Sequence, residues 1–552
     1  MIQQKKLIFL SFGLFLLTLS FYAGLIIYFD NTNLTTTNGL YKSIDVWGWE
    51  KGTRFVVDSG GLLYAFTMGM IAKLIPDQWM TFYGTVTDFI TYRKLAWIHA
   101  GFGAGATTVV FLLAYQVTRD WVWAILVSII HTTSAFILVN SIISEDIMPG
   151  YFFFVLGFLL FYQSITTAYT RLYLTGTTFC VLAALFLHWT LFPPMVCVYG
   201  LLTLELIRKR NLSFRLITEQ LVLFNGLIFL FVTVANFLFG SHFQSKLEFF
   251  QVLYPKKAGP GSWVGLSWHK FESLYLGVGN FLVGCQNIPT LSQMSYGNFL
   301  QTVVSWIVAL LCLGIVIRFI RPQATLEQRL VAGFGLGIFI FGQMQNMYGQ
   351  PQDPQFQVQP MFLITSGLIL LFFYQKYRAV LKMGLAVAIL LIRADNILTL
   401  KSLRGGDSQS VMGYEEFRDA FSKKDTKIVH LAYENWSSWL MVFEYGGDFK
   451  VYLQDITCLN TPFHFQPDIT IHQAAQEIIN DIEKALNKGK RVIATTPWVN
   501  PNDIELLQSQ NLAKPDIEKL KTILLSRYRV KKIHTLKWDT FAELERNPEF
   551  HE

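Results

Sequence analysis

Eleven apolar runs, each near the roughly 20 residues that a helix needs to cross a bilayer core, fill most of the first 400 positions. They fall near 7–28, 95–115, 121–143, 149–167, 172–190, 193–207, 219–240, 301–320, 329–346, 359–375 and 379–399. In hydrocarbon every backbone N–H and C=O must find its partner inside the protein, so runs of this length are expected to be helices. Composition agrees: 52% of the 552 residues are hydrophobic and only 15% are charged, which excludes a soluble globular protein of this length. The expected fold class is an α-helical polytopic membrane protein. The five cysteines have no metal-ligand spacing, and Cys180, Cys197 and Cys312 lie inside apolar runs, where they read as small hydrophobes.

Basic residues set the orientation, because short cytoplasmic connections retain Lys and Arg. Lys5 and Lys6 precede the first run. Alternate connections then carry Arg119, Arg171, the cluster Arg208, Lys209, Arg210 and Arg215, then Arg318, Arg321 and Arg329, then Lys376, Arg378 and Lys382. The N-terminus is thus expected in the cytoplasm and residues 400–552 outside the cell membrane. No small-residue cleavage site follows the first run, so it reads as an anchor and not a signal peptide. The outer side then receives the long loop 29–94, the connection holding Glu145 and Asp146, the turn HWTLFPP at 188–194, the loop 241–300 and YGQPQDPQFQVQP at 348–360.

Residues 401–552 differ in character and read as a small extracytoplasmic α/β domain after a membrane domain over 1–400. Apolar strands at 427–433 and 490–497 alternate with helical stretches at 471–489 and 515–526. SLRGGDSQS, 402–410, is expected to be the linker. No Gly-rich phosphate loop follows either strand, so this domain reads as an accessory module.

Each candidate functional residue admits two readings. Asp58 stands ahead of Gly60, Gly61 and a short apolar stretch suited to a helix at the membrane surface, where it either caps that helix or offers a carboxylate to solutes. Glu145 and Asp146 end the third run, where they either hydrate a helix end before Pro149 or line a site, with oxygens suited to hydroxyls or to a divalent cation. His188 is either a buried histidine bonded to a helix carbonyl or an anion contact. Lys256 and Lys257, in LYPKKAGPGSW, are either solvated loop lysines or a pair that closes over phosphate groups. Arg393 and Asp395 lie inside the last run, where ionisable groups either pair or face an aqueous cavity.

Asp58 after the first run, the acidic pair after the third, many helices and an outward C-terminal domain together resemble the GT-C glycosyltransferases, which use lipid-linked sugar donors. The aminoarabinose transferase and protein O-mannosyltransferase types are similar in architecture, and the resemblance covers roughly residues 1–400 as topology. It implies transfer of a hexosyl or pentosyl group, with inversion, from a polyprenyl phosphate or pyrophosphate donor to a lipid, glycan or protein acceptor on the outer face. Asp58 would be the base, and Glu145 and Asp146 would orient hydroxyls or hold Mg or Mn; no other cofactor is implied. His188 would contact the donor phosphate, with Lys256, Lys257 and Arg393 as further candidates for that side. The sequence departs from the family in two places. Asp58-Ser59 replaces the usual Asp-Glu, and in the late outer loop Asp353, Gln355 and Gln357 stand where an arginine is usual. Membrane lipid is an expected partner and nucleic acid is not.

Two rival classes fit the same composition. A transporter or flippase would use His131, Glu145, His188 and Arg393 as a path through the membrane, and a surface-polysaccharide polymerase or ligase would share the lipid-linked substrates. The absence of repeated halves and of an arginine-rich outer loop favours the transferase. An impermeant amine reagent applied to intact cells is expected to modify Lys256 and lysines of 400–552 while sparing Lys209. Protection of the 400–552 lysines would overturn this topology.

Overall fold

The computed structural model describes residues 2–29, 46, 50, 64–80, 90–143, 147–188, 191–208, 213–239, 268–283, 295–348, 358–374, 377–421, 425–430, 456–458, 470–494, 498–499, 514–536 and 540–549. Two compact units divide the chain: Met1–Leu34 with Asp45–Tyr254 and Leu266–Leu403, and Thr35–Ile44 with Pro255–Gly265 and Arg404–Glu552.

Every one of the eleven expected runs holds helix in the first unit. These helices are α1 (Ile2–Phe29), α3 (Ile90–Thr118), α4 (Trp121–Thr133) with α5 (Ala135–Asn140), α6 (Ile147–Thr166), α7 (Thr170–Leu187), α8 (Phe192–Arg208) and α9 (Phe214–Phe239). They continue as α11 (Tyr296–Ile320), α12 (Leu326–Tyr348), α13 (Val358–Leu371) and α14 (Arg378–Ala420). Prolines open several of them, Pro149 in α6, Pro193 and Pro194 in α8 and Pro360 in α13, where a missing N–H costs nothing. Among the described residues six helices are long and apolar enough to cross a membrane alone; α3 and α6 are mostly buried, while α1, α11 and the Arg378–Leu400 part of α14 turn most of their surface outward. Outward leucines such as Leu310, Leu311, Leu390 and Leu391 suit contact with lipid, against which an exposed apolar side chain carries no penalty.

Three expectations are corrected. The run 121–143 is not one helix. Ser134 adopts φ −59°, ψ 144°, an extended ψ that ends α4 and starts α5. The freed backbone groups are then met from elsewhere: Ala135 N–H donates to the Leu282 carbonyl and Phe136 N–H to that of Phe281, both at 3.0 Å. The fully buried Asn396 donates through Nδ2 to the carbonyls of Thr133 (2.7 Å) and Leu282 (3.0 Å).

Those partners come from the segment read as an outer loop, which is the second correction. Within 241–300, α10 (Trp268–Asn280) packs on α11, and Phe281, Leu282 and Val283 join the buried core. Third, SLRGGDSQS lies inside α14 and is helical, although the division between the units falls within it.

Contacts gather basic residues at one end of the helix bundle. The Lys6 ammonium stands over the Trp121 ring (6.0 Å), Lys382 pairs with Asp120 (2.6 Å), Arg318 covers Tyr374 and Arg378 covers Phe372. Asp120 also caps α4 by accepting from Trp123 N–H at 2.9 Å, and Arg119, with φ 55°, makes the tight corner out of α3. In the interior, Phe158 stacks on Phe334 and Phe154 packs on Phe362, filling the space between α6, α12 and α13.

Among the described residues the second unit holds a mixed five-stranded sheet in the order β2-β1-β3-β5-β4, from β1 (Thr426–His430), β2 (Ile456–Cys458), β3 (Arg491–Ala494), β4 (Tyr528–Thr535) and β5 (Thr540–Arg546). β1 runs parallel to β2 and β3, and β5 antiparallel to β3 and β4. α15 (Ile471–Asn487) buries Ala474, Ala475, Ile478, Ile479 and Ile482 against this sheet, and a reciprocal Thr470–Gln473 capping box starts it. Glu543 accepts from Arg491 (2.9 Å), Lys531 (3.0 Å) and His534 (3.1 Å). Burial alone would raise this carboxyl, but the three donors outweigh it and hold it at about 2. That contribution is complete above the ordinary value of 4.5 and is lost as pH falls toward about 2.

Asn396→Leu is expected to destabilise the membrane unit by about 1–3 kcal/mol, because the buried Thr133 carbonyl loses its donor. A thermal midpoint of the purified variant equal to the parent's would contradict this account of the helix break.

Candidate functional site

The end of the bundle opposite the basic one is built on the first turns of α3. Lys94 is buried, and its ammonium spends its three N–H donors on the Glu50 Oε1 (2.8 Å), the Asp77 carboxylate (2.5 Å) and the Ala72 carbonyl (3.1 Å). Thr91 donates a short hydrogen bond to the other oxygen of Glu50, and Arg93 donates to the Met80 carbonyl at 3.0 Å. Two charges buried as deeply as Lys94 and Glu50 are tolerable only as a bonded pair. Through them the first long loop is fastened to α3 at Glu50, at Ala72 in α2 (Tyr64–Lys73) and at Asp77 in the 3₁₀ turn Asp77–Met80. α2 is the helix expected near the membrane surface; it packs Tyr64, Ala65, Met68 and Ala72 against Leu95 and Ile98 of α3.

Five residues beyond Lys94, His99 is fully buried and faces two elements at once. Its Nδ1 lies 2.7 Å from the Ile143 carbonyl oxygen and its Nε2 lies 2.9 Å from the Tyr64 hydroxyl. A carbonyl can only accept, so Nδ1 carries a proton, and Nε2 shares a hydrogen bond with the Tyr64 hydroxyl.

His188 ends α7 and is buried, its N–H bonded to the Ala184 carbonyl. Its Cβ rests so close to Gly150 that any side chain there would stand 2.8 Å from it. The structure therefore brings His188 to the first turn of α6, directly after the acidic pair in sequence. A second close approach fixes the start of α13: Gln359 crosses Gly342 within a distance no Cβ would allow, and its Oε1 accepts from Asn346 at 3.1 Å.

Asp58, Glu145, Asp146, Lys256, Lys257 and Asp353 lie outside the described residues. Arg393 is exposed, with its guanidinium 4.4 Å from the Phe21 ring, and Asp395 accepts two 3.0 Å hydrogen bonds from Gln301. Of the two readings of Arg393 and Asp395, the mutual pair is not formed, because the two side chains leave α14 toward α1 and α11. His131 stacks on Tyr151 and bonds to it at 2.7 Å, within a buried polar group that includes Thr107, Thr132 and Tyr22. Among the described residues no group of three His, Cys, Asp or Glu side chains is spaced to hold a metal ion.

Glu50, Tyr64, Lys94 and His99 were not singled out by sequence reasoning. One signal was present: Arg93 and Lys94 stand at the start of the second run, the end expected to face outward against the positive-inside trend, and cations there need partners.

The chain shares its fold with two solved structures. The chain is similar to ArnT from Cupriavidus metallidurans in the apo state, at 12% identity over 97% of this chain and 98% of that one, with a TM-score of 0.53. It is also similar to the archaeal oligosaccharyltransferase AglB from Archaeoglobus fulgidus, in complex with an inhibitory peptide and a dolichol-phosphate, at 13% identity over 97% of this chain and 74% of that one, with a TM-score of 0.51. No protein-family model and no curated protein sequence matches the chain.

Lys94→Met is expected to cost about 3–5 kcal/mol, since Glu50 would be left buried without its cation. Adding Glu50→Gln should recover part of that loss. A double variant less stable than Lys94→Met alone, by thermal unfolding of the purified protein, would contradict the pairing.

Proposed function

We propose that this protein is an integral membrane glycosyltransferase that moves a hexosyl or pentosyl group from a polyprenyl phosphate or pyrophosphate to an acceptor on the outer face of the cell membrane. The basic end of the bundle is then cytoplasmic, and the C-terminal sheet is extracytoplasmic. The observation that carries this reading is the meeting, on one imidazole, of the helix that follows Asp58 and the turn that precedes Glu145 and Asp146. These are the two acid-bearing connections that a GT-C fold would use. The dolichol-phosphate and peptide held by AglB support the same kind of donor and acceptor here by analogy.

In this reading the Asp58 carboxylate takes the proton of an acceptor hydroxyl or amine as its oxygen or nitrogen attacks the anomeric carbon. The bond to the phosphate oxygen breaks on the opposite side of that carbon, the configuration inverts, and the lipid phosphate leaves with the electron pair. Glu145 and Asp146 orient hydroxyls or hold a divalent cation by oxygen ligation. His188, packed against the first turn of α6, meets the departing phosphate. Lys256, Lys257 and Asp353 are the further candidates for contact with the substrates. Arg393 would join them only by leaving the Phe21 ring.

Undecaprenyl phosphate carrying radiolabelled hexoses or pentoses tests the reading with the purified protein in nanodiscs. Asp58→Asn should lower turnover about 100-fold or more, in the range of a lost general base. As a mere helix cap the same change would cost little, because Asn caps about as well as Asp. Parental turnover in Asp58→Asn would refute the assignment of the base.

A further inference from the structure

We infer that His99 is a positioning residue that fixes the two acid-bearing connections against each other; this rests on the transferase reading above. Three observations support it independently of any ligand. First, the ring is fully buried and both nitrogens are engaged, Nδ1–H by the Ile143 carbonyl at 2.7 Å and Nε2 by the Tyr64 hydroxyl at 2.9 Å. The Ile143 carbonyl can only accept, so Nδ1 must donate and the bridge is directional at that end.

Second, the two partners belong to different segments. Tyr64 opens α2, six residues after Asp58, and Ile143 ends the connection from α5, two residues before Glu145. Third, the same stretch of α3 holds the other flank of Asp58, since Lys94 bonds Glu50, eight residues before it in sequence. His99 and Lys94 are five residues apart, about 7–8 Å along the helix axis. One rigid piece of buried helix therefore sets both anchor points of the first loop, and His99 extends that control to the acidic connection.

A residue that only filled space would be replaced well by an apolar ring of similar size. A positioning residue requires its donor and acceptor, and a small displacement of catalytic groups is costly; about 1 Å can cost 100-fold in rate. The full-length protein in nanodiscs is to be compared as parent, His99→Phe, His99→Gln and Tyr64→Phe. Amide hydrogen exchange is followed at residues 64–73 and 142–143, and kcat and KM are measured with the undecaprenyl-phosphate sugar that the parent turns over.

His99→Phe should raise exchange in both segments about tenfold, the equivalent of one lost hydrogen bond. It should lower kcat about 10- to 100-fold with KM for the donor changed less than about threefold. His99→Gln, which keeps a donor and an acceptor, should recover most of the kcat. Tyr64→Phe should raise exchange in α2 alone. Exchange rising equally throughout the helices, or kcat falling no further in His99→Phe than in His99→Gln, would overturn the inference and leave a core histidine. If Asp58→Asn keeps parental turnover while His99→Phe still loosens both segments, the coupling stands and the transferase assignment falls.

Discussion

A backbone amide in hydrocarbon has no water to bond, and this constraint governs the membrane unit most visibly at Ser134. There the chain leaves the helix while still about 20 Å from the start of α4 along its axis, and every polar group released has to be met by protein. Asn396 and the carbonyls of Phe281 and Leu282 meet them. The consequence reaches far along the sequence. A segment expected in an outer loop is drawn into the core, α10 is packed on α11, and α14 is tied to the break through one carboxamide.

The first turns of α3 follow the same logic with charge in place of backbone. Lys94 and Glu50 could not be buried singly, since the desolvation of each ion exceeds what packing returns; bonded to each other, to Asp77 and to Thr91, they become a fixed joint between loop and helix. His99, one and a half turns further on, ties a second segment to the same surface. Function of the kind proposed needs carboxylates from two separate loops held at one place, and a buried helix with directional hydrogen bonds is a better support than loop backbone.

The second unit obeys the rules of water. Its sheet buries Val492, Ile493 and Ala494 in the middle, and its edge strand β4 exposes Arg529, Lys531 and Lys532, charges that discourage pairing with another chain. Glu543, with three cationic or hydrogen-bonding neighbours, holds β3, β4 and β5 in register at that edge.

The sequence by itself determined the solvent, the number of apolar runs and the alternation of basic connections, because hydrophobic length and positive charge act through the bilayer and need no partner. It also made α15 and two strands of the sheet legible, since amphipathic period and capping are local. β4 and β5 were missed: YRVKKIHT and TFAELER are charged strands whose pairing, not their composition, makes them a sheet. Only the tertiary structure decided the break at Ser134, the burial of 281–283, the separation of Arg393 from Asp395 and the use of Lys94 and His99. Each of these depends on a partner tens to hundreds of residues away, and a histidine or lysine in an apolar run looks the same in sequence whether or not that partner exists.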